Sequence, residues 1–336
     1  MVATTVPASL GFASISLTPA GLRLTGTATL GGDQGVACLE ASVDPATLAL
    51  LRIIEPRCDD PALAGKPVMP VQYGLRSQPN DAVVRIARID SSNGRIEVGP
   101  VLMTYGNYSD THLESAYGPG SLWLYASAST KGPMVLRVSE ATGQVVQATR
   151  IPDLDRPVIA ADAAGLYLAP AANSLGNFGD GIIYHLGIGA RSVAAVDRSP
   201  GFHGFVSWMT GQGEDLWADI CPRQGSRPCE IARFNGERSL RAFQVSDRGL
   251  TGWWVAGDAS SGFYSSVVPR NVPAPSTTSW RIVRIDPSSG AVAVVATIDL
   301  PLYWTGSGEA TVDGHALFVL TPPEQSSNGE LYRVAL

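Results

Sequence analysis

Apolar residues fall in short runs, often alternating with polar ones, and clusters of Gly, Pro, Asp, Asn and Ser separate the runs. A period of two over stretches this short predicts β-strands, and the clusters predict tight turns. Val83–Ile89 and Ile282–Ile285 are rich in β-branched residues, as packed sheets require. The pattern also repeats. One unit is a strand that ends in a polar turn, as in Arg88-Ile89-Asp90-Ser91-Ser92-Asn93-Gly94 and Arg284-Ile285-Asp286-Pro287-Ser288-Ser289-Gly290. Looser copies begin at Ser42, Arg137 and Arg233. The last apolar residue before each turn is Val43, Ile89, Val138, Leu186, Phe234, Ile285 and Val334, a spacing of about 48 residues.

A second unit is a Gly/Asp turn followed by an apolar-aromatic strand. It reads Gly118-Pro119-Gly120-Ser121-Leu122-Trp123, Asp162-Ala163-Ala164-Gly165-Leu166-Tyr167 and Gly213-Glu214-Asp215-Leu216-Trp217. Further copies run through Gly262-Phe263, Leu317-Phe318 and Gly21-Leu22. In the second repeat Val68–Leu75 occupies this place but matches poorly. Together the units give four strands per repeat, here called a to d. A short turn joins a to b, a longer loop b to c, and the polar turn c to d.

Four short strands per repeat of this length is the blade of a β-propeller. The expectation is an all-β fold: one seven-bladed propeller over residues 1–336, with four antiparallel strands per blade. The chain ends on Glu330–Leu336, a strand c, so Val2–Ala8 is expected to supply the missing strand d and close the ring. Closure would remove exposed sheet edges. A six-bladed ring with the second repeat as a decoration is the alternative.

Composition agrees. Of 336 residues, 45% are hydrophobic and 16% charged, with 36 Gly and 24 Pro, which supplies both core and turns. The net charge is -6 and no basic block exists, which argues against a nucleic-acid partner. Lysine occurs only at Lys66 and Lys131, and arginine carries the remaining positive charge, as in chains from GC-rich bacterial genomes. No run reaches the ~20 apolar residues of a membrane-spanning helix, and Met1–Leu10 does not read as a leader. The four cysteines form two close pairs, Cys38 with Cys58 and Cys221 with Cys229, each centred on a turn or loop. Opposed positions on neighbouring strands suit disulfides, so a secreted or periplasmic protein, its leader absent from this chain, is expected. Four reduced, buried cysteines are the alternative. The chain is expected to be a monomer.

In a propeller of this strand order the b–c and d–a loops share one face. The longest, Pro170–Gly181, Val267–Ser279 and Thr321–Gly329, are b–c loops. Binding sites gather where long loops stand on a rigid scaffold. Counting back from each strand b places Phe12, His112, Arg156, His203 or Gly204, Trp253 and Ser307 at the start of a strand a, around the mouth of the central channel. Asp110, Tyr303, Trp304 and Glu309 lie nearby. His112, His203 and Glu309 could hold a divalent metal (Mg, Ca or Zn) or act as acid and base. Arg156, Trp253, Tyr303, Trp304 and Asp110 could contact a ligand. His315 falls in an a–b turn on the opposite face, and His185 within a strand c as a structural histidine. No GxSxG, P-loop or dinucleotide fingerprint is present.

The repeats resemble those of bacterial propellers of the YVTN, streptogramin-lyase and quinoprotein-like types. These share the Asp-x-x-Ser/Thr-Gly turn between strands c and d and the Asp/Gly-x-x-Gly-x-Leu-Trp approach to strand b. Quinoprotein repeats carry a tryptophan late in each repeat, whereas Trp123 and Trp217 here sit on strand b. The resemblance to streptogramin lyases implies a histidine and an acid in the funnel with a magnesium ion. Two functions follow. One is a binding module that holds a protein, peptide, carbohydrate or small-molecule ligand on the loop face. The other is a metal-assisted lyase or hydrolase working through His112, His203 and Glu309.

Overall fold

The computed structural model describes residues 1–6, 11–18, 21–29, 36–54, 69–75, 78–89, 96–106, 113–127, 132–139, 141–152, 154, 157–170, 182–196, 204–212, 215–222, 230–235, 238–244, 251–257, 261–267, 277–301, 309–313, 315–321 and 329–336. Every regular element among them is a strand, and no helix is long and apolar enough to cross a membrane. Strand β1 (Val2–Val6) is followed by the first sheet: β2 (Gly11–Thr18), β3 (Gly21–Thr29), β4 (Val36–Val43) and β5 (Leu50–Ile54). The second has β6 (Met69–Leu75), β7 (Gln78–Ile89) and β8 (Ile96–Gly106). The third has β9 (Leu113–Gly118), β10 (Ser121–Ala126), β11 (Met134–Ser139) and β12 (Val145–Arg150). The fourth has β13 (Val158–Ala161), β14 (Gly165–Ala169), β15 (Tyr184–Gly187) and β16 (Ala194–Ala195). The fifth has β17 (Gly204–Gln212), β18 (Asp215–Pro222), β19 (Glu230–Asn235) and β20 (Arg238–Gln244). The sixth has β21 (Thr251–Gly257), β22 (Gly262–Val267), β23 (Thr277–Ile285) and β24 (Val292–Pro301). The seventh joins β25 (Glu309–Val312), β26 (Ala316–Thr321) and β27 (Gly329–Ala335) to β1.

Within each sheet the strands are antiparallel and follow chain order; β1 is the exception. It runs against β27 from Val2↔Arg333 to Val6↔Gly329, the pairing the sequence predicts. The seven apolar anchors of the repeat all lie on third strands, or on β7 in the three-stranded sheet. The poor match in the second repeat is β6, whose Pro70 and Gly74 are unfavourable in a strand.

The polar turns explain their own sequence. The carboxylate of Asp44 accepts the N–H groups of Ala46 and Thr47 at 2.7 and 3.1 Å, and that of Asp286 accepts Ser288 and Ser289 at 2.7 and 3.0 Å. Each turn closes when its fifth residue donates to the first carbonyl, as in Gly143 to Ser139 and Gly290 to Asp286. That fifth residue has a positive φ: 68° at Gly143 and 76° at Gly290. In the first sheet it is Leu48, at 60°. A leucine is disfavoured there by about 1–2 kcal/mol. Its side chain is buried between the first and seventh sheets, and burying a leucine is worth about 1.5–3 kcal/mol. Burial therefore outweighs the backbone cost. The a–b turns use the same device, with Asp162 accepting Ala164 and Gly165, and Asp313 accepting His315 and Ala316.

Among the described residues, each sheet from the second to the sixth shares core residues with the next, and the seventh with the first. Met103 of β8 joins the core of the third sheet, and Trp123, Tyr125 and Leu166 fill the space between third and fourth. Tyr167 meets Val206 and Leu216 of the fifth; Trp217 meets Val283 and Ile285 of the sixth; Phe263 and Ile282 meet Leu317 and Val319 of the seventh. Phe318 and Leu331 then pack against Ile15 and Leu24, so the last sheet lies on the first.

Candidate functional site

The first strands of successive sheets are neighbours. β9 lies beside β13, β13 beside β17, β17 beside β21, β21 beside β25 and β25 beside β2. Each opens a sheet with the same up-and-down order, so all of them start at one end of the molecule. The a–b and c–d turns lie at the other end.

The ladders are irregular at both ends: register shifts just before the c–d turns, between Ser42 and Val43, Arg137 and Val138, and Arg233 and Phe234, and also near the starts of the first strands. Register shifts in β2 between Phe12 and Ser14, in β17 between Val206 and Trp208, and in β21 between Thr251 and Val255. Bulges re-aim side chains and gather beside functional sites. Trp253 lies inside the irregular stretch of β21. Glu309 opens β25, opposite Leu320, and β25 neighbours β21. The structure thus brings these two backbone positions onto adjacent strands; their side chains lie outside the description. His112, His203, Arg156, Asp110, Tyr303 and Trp304 also fall outside the described residues, although His112 and His203 directly precede β9 and β17 in the chain. Among the described residues no three His, Cys, Asp or Glu side chains stand together as a metal site. Cys38 lies on β4 opposite Thr27, and Cys221 on β18 opposite Phe205; Cys58 and Cys229 are outside the described residues.

The turn end is built differently. Four of the arginines that precede an apolar anchor face the aromatic residue of strand b: Arg137 opposite Trp123, Arg233 opposite Trp217, Arg284 opposite Phe263 and Arg333 opposite Phe318. The Arg137 guanidinium sits 5.6 Å from the Trp123 ring centroid, within cation–π range. Arginine Nε donates to the start of strand b: Arg137 to Ser121 at 2.8 Å, Arg233 to Asp215 at 2.9 Å, Arg284 to Ser261 at 3.0 Å. This arrangement went unread in the sequence. Its signal was present, because arginine stands immediately before the anchor at Arg88, Arg137, Arg233, Arg284 and Arg333.

The fourth sheet departs from it. His185 replaces the arginine, and its ring stacks on Tyr167 with centroids 4.6 Å apart. Gly165 replaces the Ser or Asp acceptor, and a side chain there would collide with the Leu186 carbonyl. Asp162 is 2% exposed. Burial pushes its carboxyl above the usual range, against the opposing pull of the Ala164 and Gly165 N–H groups, Tyr167 and the field of His185. Its Oδ2 has no hydrogen-bond partner in the protein. His315 is exposed in its a–b turn, as expected.

No family model matches the chain, and no curated protein matches it. Solved structures do. The β-propeller domain of the Trilobed protease from Pyrococcus furiosus, whose title describes an open velcro topology, is 11% identical over 96% of this chain and 95% of its own, with a TM-score of 0.52. An uncharacterised protein from Listeria monocytogenes is 9% identical over 99% and 95%, with a TM-score of 0.51. The acylaminoacyl peptidase of Pyrococcus horikoshii is 9% identical over 98% of this chain, with a TM-score of 0.53, and this chain spans 51% of that protein. At such identities the likeness concerns the fold alone, and that fold is a β-propeller.

Proposed function

We propose that the seven sheets are the seven blades of one ring, closed where β1 completes the last blade, and that the end where the first strands start is a ligand-binding funnel. The chain is read as a binding module for a protein, peptide or carbohydrate. The observation that carries this reading is the placement of Glu309 and Trp253 on the adjacent strands β25 and β21, at the end where the first strands start. A carboxylate and an indole around one channel suit a ligand with hydroxyl or amide donors and an apolar face. His112, Arg156, His203, Asp110, Tyr303 and Trp304 complete the proposed lining.

The protein is further proposed to be secreted or periplasmic, with disulfides Cys38–Cys58 and Cys221–Cys229. Register supports the second bond. The last described pair of β18 and β19 is Ile220↔Glu230, and continuing that register by one step would set Cys221 against Cys229. It favours the first less, because the β4–β5 ladder ends at Glu40↔Ile54 and its continuation would bring residue 56, not Cys58, opposite Cys38.

Peptide and glycan arrays provide the test. A ligand found there should bind Trp253→Ala or Glu309→Gln at least tenfold more weakly, with melting temperature unchanged. Full affinity in both variants would refute the site. Elemental analysis separates the enzymatic reading: one metal per chain, lost in the His112→Ala/His203→Ala variant, would point instead to a metal-assisted lyase or hydrolase using His112, His203 and Glu309.

A further inference from the structure

The last strand of a sheet carries one row of N–H and C=O groups that no strand of its own sheet can use. Most of the end strands here are guarded by charge or kept short. β5 carries Arg52, β8 carries Glu97 and Pro100, β12 ends on Arg150, and β20 carries Arg238 and Arg241. β16 and β1 are uncharged but only two and five residues long. β24 is different. It spans ten residues and is hydrogen-bonded only to β23 among the described strands. From Ala291 to Ile298 it reads Ala-Val-Ala-Val-Val-Ala-Thr-Ile, with no charge and no proline.

This run is also bare. All five residues from Ala291 to Val295 are exposed, Val292 and Val294 by 49% and 55%. Further along, Ala296 and Ile298 turn into the core shared with the seventh sheet. Exposed apolar residues on an open, unguarded edge mark a place where another strand pairs. We propose that β24 is a self-association edge, on which the β24 of a second copy adds antiparallel about a twofold axis. The proposal is independent of the ligand funnel.

The choice of a second copy rests on charge and on symmetry. In any antiparallel register, pairs within the run oppose only Ala, Val, Thr and Ile, so no like charges meet although the chain carries -6. The same operation at β20 would crowd Arg238 and Arg241 of both copies along one ladder. A twofold contact also covers both open edges at once, and every copy brings the matching edge. The area sets the strength. Eight residues span about 27 Å, and an edge about 10 Å wide gives roughly 270 Å² per copy. The total lies well below the roughly 1,200 Å² of a stable interface, so the dimer is weak and transient. The bulge that leaves Val295 without a partner on β23 bends the strand and shortens its flat stretch, which acts in the same direction. The monomer expected from the sequence then holds in dilute solution only.

Sedimentation velocity of the whole chain from about 1 µM to about 1 mM tests this. The wild type should pass from monomer towards dimer, and should do so no less in high salt, because the pairing edges are uncharged. Val294→Lys places a charge on the edge at a position that packs against nothing in the core. It should stay monomeric over the same range, with an unchanged melting temperature. Hydrogen exchange at the two ends of the range locates the contact: β24 amides should slow at least about twofold at the high end, and those of β12 should not. If Val294→Lys does not fold, Val292→Lys replaces it. A wild type that remains monomeric throughout, a dimer that the lysine variant retains, or protection that appears on other strands and not on β24 would each overturn the proposal.

Discussion

At the turn end of the sheets, side chains are engaged with their own or the adjoining sheet. Arg137, Arg233 and Arg284 are bonded to strand b, and Asp44, Asp162, Asp286 and Asp313 cap their own turns. At the end where the first strands start, the ladders of β2, β17 and β21 are broken, and chemistry-bearing residues stand at or just before the strands. The contrast separates two uses of the same repeat. Similar turns build a frame at one end, and the candidate binding residues gather at the opposite end. Substitutions at the turn end should therefore lower stability and leave binding alone, and substitutions at the starting end should do the reverse.

The largest effect is expected at Trp217. Its indole lies fully buried against Gly257 and Gly262 of the sixth sheet, where any side chain would occupy the space of the ring. Trp217→Ala should cost about 3–5 kcal/mol in denaturant titrations. Next is Leu48. Leu48→Ala loses the burial and keeps the strained φ, for a loss of about 3 kcal/mol. Leu48→Gly loses the same burial and relieves the strain, so it should be about 1 kcal/mol more stable than the alanine variant, the reverse of the usual order. Asp215→Ala leaves Arg233 without its carboxylate. Because the Arg233 side chain is 20% exposed, about 2 kcal/mol is expected, below the loss for a wholly buried pair.

The smallest effect is a pH signature. Ser288 Oγ, with the Ser289 and Ser288 N–H groups, lowers the Asp286 carboxyl to about 2. A depressed carboxyl contributes stability that is present above its unfolded value, about 3.9, and is lost as pH falls through about 2. The melting difference between wild type and Asp286→Asn should be constant above about pH 5 and shrink below about pH 4.

The frame was legible because its turns need particular residues. Asp or Ser must open the c–d turn and glycine suits its fifth position, so those letters recur and give the spacing. The second sheet was hard to read where Pro70 and Gly74 interrupt β6. The aromatic–arginine pairs depend on a register between strands about 15 residues apart, as with Trp123 and Arg137. No local pattern states that register, though the arginine before each anchor hints at it. At the starting end the sequence supplied candidates by counting back from strand b, which finds where a strand begins but not where a side chain in a bulge points.

The placement of function at the starting end can be tested by one footprint. With a ligand from the arrays bound, hydrogen exchange should slow at the starts of β9, β17, β21 and β25, and remain unchanged at the turns following Ser139 and Asp286. Protection at those turns, with none at the strand starts, would contradict the account.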